Sequence, residues 1–188
     1  MITGVVLAGG ASMRFGGAPK GLQPFRGRAM ALCVADVLSA ICAHVVIEAP
    51  PGAGYEALGL PLIHADPAHA GKGPLAGMAT GLSGAAGRDG RVVFAPCDMP
   101  LITESVYRAL LREGTSVYAV SPRGAEALVA VLRRDALPAL LTTLAHDKLP
   151  RTVAALEAVG ARAVAFDEAA PFANVNTPDD LARLTGLE

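Results

Sequence analysis

The sequence predicts a single three-layer α/β/α domain on a mostly parallel, Rossmann-like sheet. Three observations carry that prediction. Short apolar runs rich in β-branched residues alternate with longer stretches whose apolar residues recur at helical spacing. The runs are apolar at successive positions, as in strands covered on both faces. A glycine-rich loop directly follows the first run, where sheets of this class hold ligands. The chain has 188 residues. That suits one domain with a sizeable core better than two.

Taken in order, Ile2–Leu7 reads as a buried strand and Arg28–Ile41 as a helix, with Ala31, Leu32, Ala35, Leu38 and Ile41 at helical spacing. His44–Ile47 is a second strand, stopped by Pro50-Pro51-Gly52, and Leu60–His64 a third. Leu75–Leu82 is a small-residue helix, and Arg91–Ala95 a fourth strand stopped by Pro96. Glu104–Arg112 is a helix with Thr103 at its N-cap. Ser116–Val120 and Leu128–Leu132 are further strands, and Asp135–Leu144 and Thr152–Val159 further helices. Arg162–Phe166 is the last strand. Pro178–Leu184 is the last helix, with Thr177 before it, Pro178 at its first position and acids in its first turn.

Composition excludes several classes. Lys plus Arg is 16 and Asp plus Glu 17, a net charge of -1, which opposes a broad nucleic-acid or acidic-membrane surface. Aromatics are 4% with no Trp, too few for base-stacking platforms. The three cysteines, Cys33, Cys42 and Cys97, form no CxxC or Cys/His cluster, so a disulfide scaffold or structural zinc is not expected. Reduced thiols point to the cytoplasm. The N-terminal apolar run is too short and too glycine-bounded for a signal peptide, and no run reaches the ~18–20 residues of a membrane span.

Two loops carry the chemistry. In the first, Leu7-Ala8-Gly9-Gly10 is followed by Arg14 and Lys20. Paired glycines allow close backbone approach, their N–H groups can cradle an anion, and the two cations add charge. This describes a triphosphate or pyrophosphate cradle, although no Walker-type P-loop is present. In the second, Pro96-Cys97-Asp98-Met99-Pro100 ends the fourth strand. A lone carboxylate beside phosphates suits Mg²⁺, which takes one or two carboxylates and completes its shell with phosphate oxygens and water. Asp66, after the third strand, could hold a ribose hydroxyl or simply start the Asp66-Pro67 turn. Asn174 and Asn176 share a face if their segment is extended. Gly71-Lys72-Gly73-Pro74-Leu75-Ala76 fits a loose dinucleotide pattern, but no strand precedes it and no acid follows at the required distance. Lys148 and Arg151 precede a helix start, against its dipole, which fits either a phosphate ligand or solvated cations.

Together, Leu7-Ala8-Gly9-Gly10-x-Ser12-x-Arg14-x-Gly16 and Lys20 resemble the signature of GT-A-like nucleotidyltransferases. Gly73-Pro74-Leu75-Ala76-Gly77, Pro96–Pro100 and Asn174-Val175-Asn176-Thr177-Pro178 narrow the resemblance to the MobA-type molybdenum cofactor guanylyltransferases. It runs from residue 2 to about 185, nearly the whole chain. The double glycine is typical of the guanylyl enzymes, where cytidylyl relatives usually carry Leu-Ala-Ala-Gly. Two positions depart from the pattern: Pro19 stands where Asp is frequent, and Glu48 where a nucleotide-contacting Asn is frequent.

The resemblance implies Mg²⁺-dependent transfer of GMP from GTP to molybdenum-bearing molybdopterin, with pyrophosphate leaving. It implies that Leu7, Ala8, Gly9 and Gly10 line the nucleotide, with Asp66 also in contact. It makes Lys20 the critical basic residue, Arg14 a second cation and Asp98 the Mg²⁺ ligand. Beside the resemblance, the residues themselves suggest further roles: a Glu48 carboxylate can accept from guanine N1–H and the exocyclic amine, the Asn174 and Asn176 pair could touch the metal site or the acceptor, and Lys148 and Arg151 could receive the molybdopterin phosphate or stand as solvated cations. Molybdenum-insertion proteins and molybdoenzyme chaperones are the implied protein partners, with no nucleic acid or membrane. The alternatives are a relative using CTP or a sugar 1-phosphate, and a nucleotide-binding module without catalysis.

Overall fold

The computed structural model describes residues 2–9, 18–84 and 90–186. Its strands are β1 (Thr3–Leu7), β2 (Pro24–Phe25), β3 (Arg28–Ala29), β4 (His44–Glu48), β5 (Leu62–Ile63), β6 (Arg91–Pro96), β7 (Val117–Ser121), β8 (Gly124–Arg133) and β9 (Arg162–Ala165). Its helices are α1 (Met30–Ser39), α2 (Pro74–Gly84), α3 (Glu104–Arg112), α4 (Leu137–Leu144), α5 (Thr152–Ala158) and α6 (Pro178–Thr185). Seven strands form one sheet in the order β5-β4-β1-β6-β8-β7-β9. β8 is antiparallel to both neighbours and the other pairings are parallel, so the mostly parallel α/β expectation holds.

Every residue of β1 is buried, which explains why its sequence shows no polar alternation. Val6 faces one core with Ile47, Val93 and Ala95, covered by Val34 and Leu38 of α1 and Tyr107 and Leu110 of α3. Val5 and Leu7 face the other with Val92 and Phe94, covered by Met78 and Leu82 of α2, Leu140 of α4 and Leu156 of α5. These are the predicted layers. A third cluster joins Phe25 and Met30 to Ala173, Val175 and Leu184, which brings the C-terminal segment back beside the start of α1.

Several boundaries differ from the sequence reading. The helix expected from Arg28 begins at Met30, because Pro24–Ala29 forms a hairpin. Its two turn residues, Arg26 and Gly27, both have positive φ, the geometry that matches hairpin twist. β5 keeps only Leu62–Ile63 of the expected strand, and β8 extends to Gly124 through its turn with β7. Thr103 sits at the N-cap of α3, but its hydroxyl pairs with that of Ser105 instead of capping. Thr177 does cap α6, in a reciprocal box with Asp180. Among the described residues, no helix is long and apolar enough to cross a membrane.

The chain runs outward from β1 to β4 and β5, then crosses back to β6 on the other side of β1. That reversal creates a crevice between the carboxyl ends of β1 and β6.

Candidate active site

A cavity of about 580 Å³ occupies this crevice. Register explains its floor: Leu7 lies beside Glu48 of β4 on one side and Pro96 of β6 on the other. The cavity also takes in Ala8, Gly9, Lys20, Cys97 and Asp98. Leu128 of β8 also lines it. Here Tyr118 pairs with Ala130 but Ala119 with Glu126, so Leu128 lies in a break in the ladder. Glu48 and Leu128 thus lie on strands separated by β1 and β6.

Glu48 is the last residue of β4 and only 5% exposed. The Gly9 N–H donates to its carboxylate. A Cβ at Gly9 would stand 3.0 Å from Oε2, and one at Gly77 of α2 only 2.7 Å away, so the two glycines make room for this side chain. Burial pushes the Glu48 carboxyl up, opposed by the charge of nearby His64 and by the Gly9 bond. His64 Nδ1 lies 2.7 Å from the Ala49 carbonyl. A carbonyl only accepts, so Nδ1 carries the proton.

A stability consequence follows for Glu48. Its folded-state value lies above the unfolded one, so the folded chain holds this proton to higher pH. Its contribution is therefore fullest below the unfolded glutamate range, about pH 4, and falls as pH rises through the raised folded value. Gln cannot titrate. We expect Glu48→Gln to gain thermal stability relative to the parent chain as pH rises from about 4 to 8. Melting curves across that range check this, and a pH-independent difference would contradict it.

Lys20 opens a 3₁₀ turn, Lys20–Leu22, directly after Pro19. Its ammonium donates to Asp98 Oδ2 at 2.9 Å and to Asn176 Oδ1 at 3.0 Å. Asp98 follows β6, flanked by buried Cys97 and Met99. Asn176 reaches the cluster because the Val175 N–H donates to the Asp98 carbonyl at 2.9 Å. The α6 cap fixes the same segment from its other end, since Asp180 Oδ2 accepts from the N–H groups of Asn176 and Thr177. Lys20 and Asp98 are each about one-fifth exposed. The ammonium thus rests on two hard oxygen atoms, a carboxylate and an amide. Among the described residues no three His, Cys, Asp or Glu side chains cluster. A donor set of one carboxylate and one amide oxygen fits Mg²⁺ shared with phosphates and does not fit a closed structural metal site.

The other predicted residues divide sharply. Gly10 and Arg14 lie outside the described residues. Asp66 caps the 3₁₀ turn Pro67–His69 by accepting from the Ala68 N–H at 2.8 Å, which is the turn-start reading, while its neighbour Ala65 lines the cavity. Asn174 Oδ1 is buried and has no hydrogen-bond partner among the described residues. Arg151 and Lys148 are exposed, with Arg151 at the N-cap of α5, and neither lines the cavity. Cys97 is buried and lines the cavity.

Sequence reasoning missed several walls. The Gly71–Ala76 stretch, rejected as a dinucleotide fingerprint, nevertheless lines the cavity through Gly71, Gly73, Pro74 and Ala76. Lys72 fastens it by donating to the carbonyls of Leu144 and His146 at the end of α4. The glycines were the available signal, and the partner carbonyls, 72 and 74 residues away, were not legible.

A family model described as MobA-like NTP transferase domain matches residues 4–163. A molybdenum cofactor guanylyltransferase from Cupriavidus metallidurans is 37% identical over 96% of this chain and 92% of its own length. One from Yersinia pestis is 36% identical over 95% and 92%. Among solved structures, the molybdopterin-guanine dinucleotide biosynthesis protein A of Archaeoglobus fulgidus superposes with a TM-score of 0.77 at 24% identity, covering 98% of this chain and 97% of that one.

Proposed function

The chain belongs to the MobA-like NTP transferase family, and from that premise we propose that it transfers GMP from GTP to molybdenum-bearing molybdopterin. The observation that carries this reading is one cavity lined by both Glu48 and the Lys20–Asp98 pair, with Asn176 bonded to the same ammonium. The first suits a base with adjacent donors, the second a triphosphate with its cation. The curated relatives carry the guanylyltransferase name over nearly the same length, which supports the nucleotide and the acceptor.

The reaction needs little from the protein beyond placement and charge. An oxygen of the acceptor's phosphate monoester attacks the α-phosphorus of GTP. A P–O bond forms there, the bond to the β-phosphate oxygen breaks, and pyrophosphate leaves with that electron pair. The attacking oxygen is already ionised at neutral pH, so no general base is required. The main-chain groups of Leu7, Ala8 and Gly9 line the nucleotide. Lys20 neutralises the charge that builds on pyrophosphate, with Arg14 as a second cation from the same loop. Asp98 and Asn176 would hold Mg²⁺, which would supply charge neutralisation to the phosphates. The cleft towards Leu128 receives the acceptor.

In this reading the Glu48 carboxylate accepts from guanine N1–H and the exocyclic amine. Cytosine offers no such donor pair. We expect Glu48→Gln to reduce the preference for GTP over CTP by about tenfold, the scale of a good bidentate base contact. Competition between the two nucleotides in one assay measures that ratio, and an unchanged ratio would remove Glu48 from base reading.

A further inference from the structure

Tyr55 is one of the largest fully buried side chains, yet it lies on no strand or α-helix. It begins a 3₁₀ turn, Tyr55–Leu58, between Gly54 and Gly59, both with positive φ. The two glycines turn the chain in and out again, and the ring enters beneath the loop that carries Lys20. There its hydroxyl oxygen accepts from the Gly21 N–H at 3.2 Å. The hydroxyl also lies beside the Cys97 side chain. Gly21 follows Lys20 and Cys97 precedes Asp98 in the chain. One phenol therefore touches the immediate neighbours of both members of the Lys20–Asp98 pair.

We propose that Tyr55 is a positioning residue for nucleotidyl transfer, its hydroxyl locking the turn that carries Lys20 to the strand end that carries Asp98. This rests on the reading of Lys20 and Asp98 as the phosphate and metal site. Packing supports the joint independently of the hydrogen bond. A Cβ on Gly21 would stand 2.8 Å from the Tyr55 hydroxyl oxygen and 3.0 Å from Cys97 Cβ, so both side chains close on Gly21. Leu22, the next residue of the Lys20 turn, lies close to Gly54: a Cβ there would be 3.2 Å from Leu22 Cδ1. Tyr55 does not line the cavity and does not touch substrate in this reading. Its effect must pass through Lys20 and Asp98.

The test uses the whole chain and inorganic tripolyphosphate with Mg²⁺, a probe that needs neither the base nor the acceptor. Affinity is measured by calorimetry for the parent chain, Tyr55→Phe, Lys20→Ala and the double variant. Tyr55→Phe keeps the ring and removes only the hydroxyl. We expect it to weaken binding about fivefold, the scale of one hydrogen bond. In the Lys20→Ala background we expect the same change to alter binding by less than about twofold, because residues that act as one unit are non-additive. A purely structural role would give losses that multiply. Gly21→Ala tests the same joint without touching Tyr55 and is expected to show the same dependence on Lys20. The proposal is overturned if Tyr55→Phe binds as tightly as the parent chain, or if its loss is retained in full without Lys20. If the parent chain itself fails to bind tripolyphosphate, the phosphate-site reading falls, and this proposal with it.

Discussion

Replacing Lys20 by Ala is expected to reduce turnover by about 100-fold or more, the cost of losing one preorganised charge contact to a developing anion. Stability should change little. The Lys20–Asp98 pair is partly solvated, and such pairs contribute about 0–1 kcal/mol to folding. A folded variant with a large rate loss would therefore locate the effect in the reaction. Lys20→Arg should rescue only weakly. A planar guanidinium cannot place one compact charge between Asp98 Oδ2 and Asn176 Oδ1 as the ammonium does. Steady-state rates with melting curves make the comparison. A near-parental rate in Lys20→Ala would exclude Lys20 from the mechanism.

Removing the carboxylate should be as costly, with a different signature. Asp98→Ala is expected to lose about 100-fold or more in turnover and also to shift the Mg²⁺ dependence to higher concentration. Lys20→Ala should leave that dependence near its parental position, because it removes a cation and no metal ligand. A Mg²⁺ titration at saturating nucleotide separates the two roles. Asp98→Ala with an unshifted titration would mean that Asp98 serves only to hold Lys20, the one function the 2.9 Å contact displays directly.

The strands that build the site were legible because each is a short apolar run, and both cores demand that pattern of β1, β4 and β6. The β2–β3 hairpin was not, since two-residue strands carry no periodicity. Its signal was the Arg26-Gly27 turn, easily absorbed into the helix that follows. The first half of β8 escaped for a related reason: Gly124–Glu126 is exposed or half-buried and reads as turn. Within the site, Lys20, Asp98 and Asn176 each stood out by residue type and loop position. That they meet at one ammonium did not, because the contacts span 78 and 156 residues. Asp66 shows the reverse. Its position at a strand's carboxyl end suggested a ligand contact, while its carboxylate satisfies the Ala68 N–H of its own turn. Tyr55 was invisible to motif reading because its role lies in what its hydroxyl touches.

The most direct test is pyrophosphate release with molybdenum-bearing molybdopterin and Mg²⁺, offering GTP, CTP, ATP and UTP separately. Release with GTP, and little with the other three, is the predicted result. Release mainly with CTP would contradict the assignment of guanine to Glu48 while leaving the Lys20–Asp98 chemistry in place. Release with none of the four, from a folded sample, would contradict molybdopterin as the acceptor.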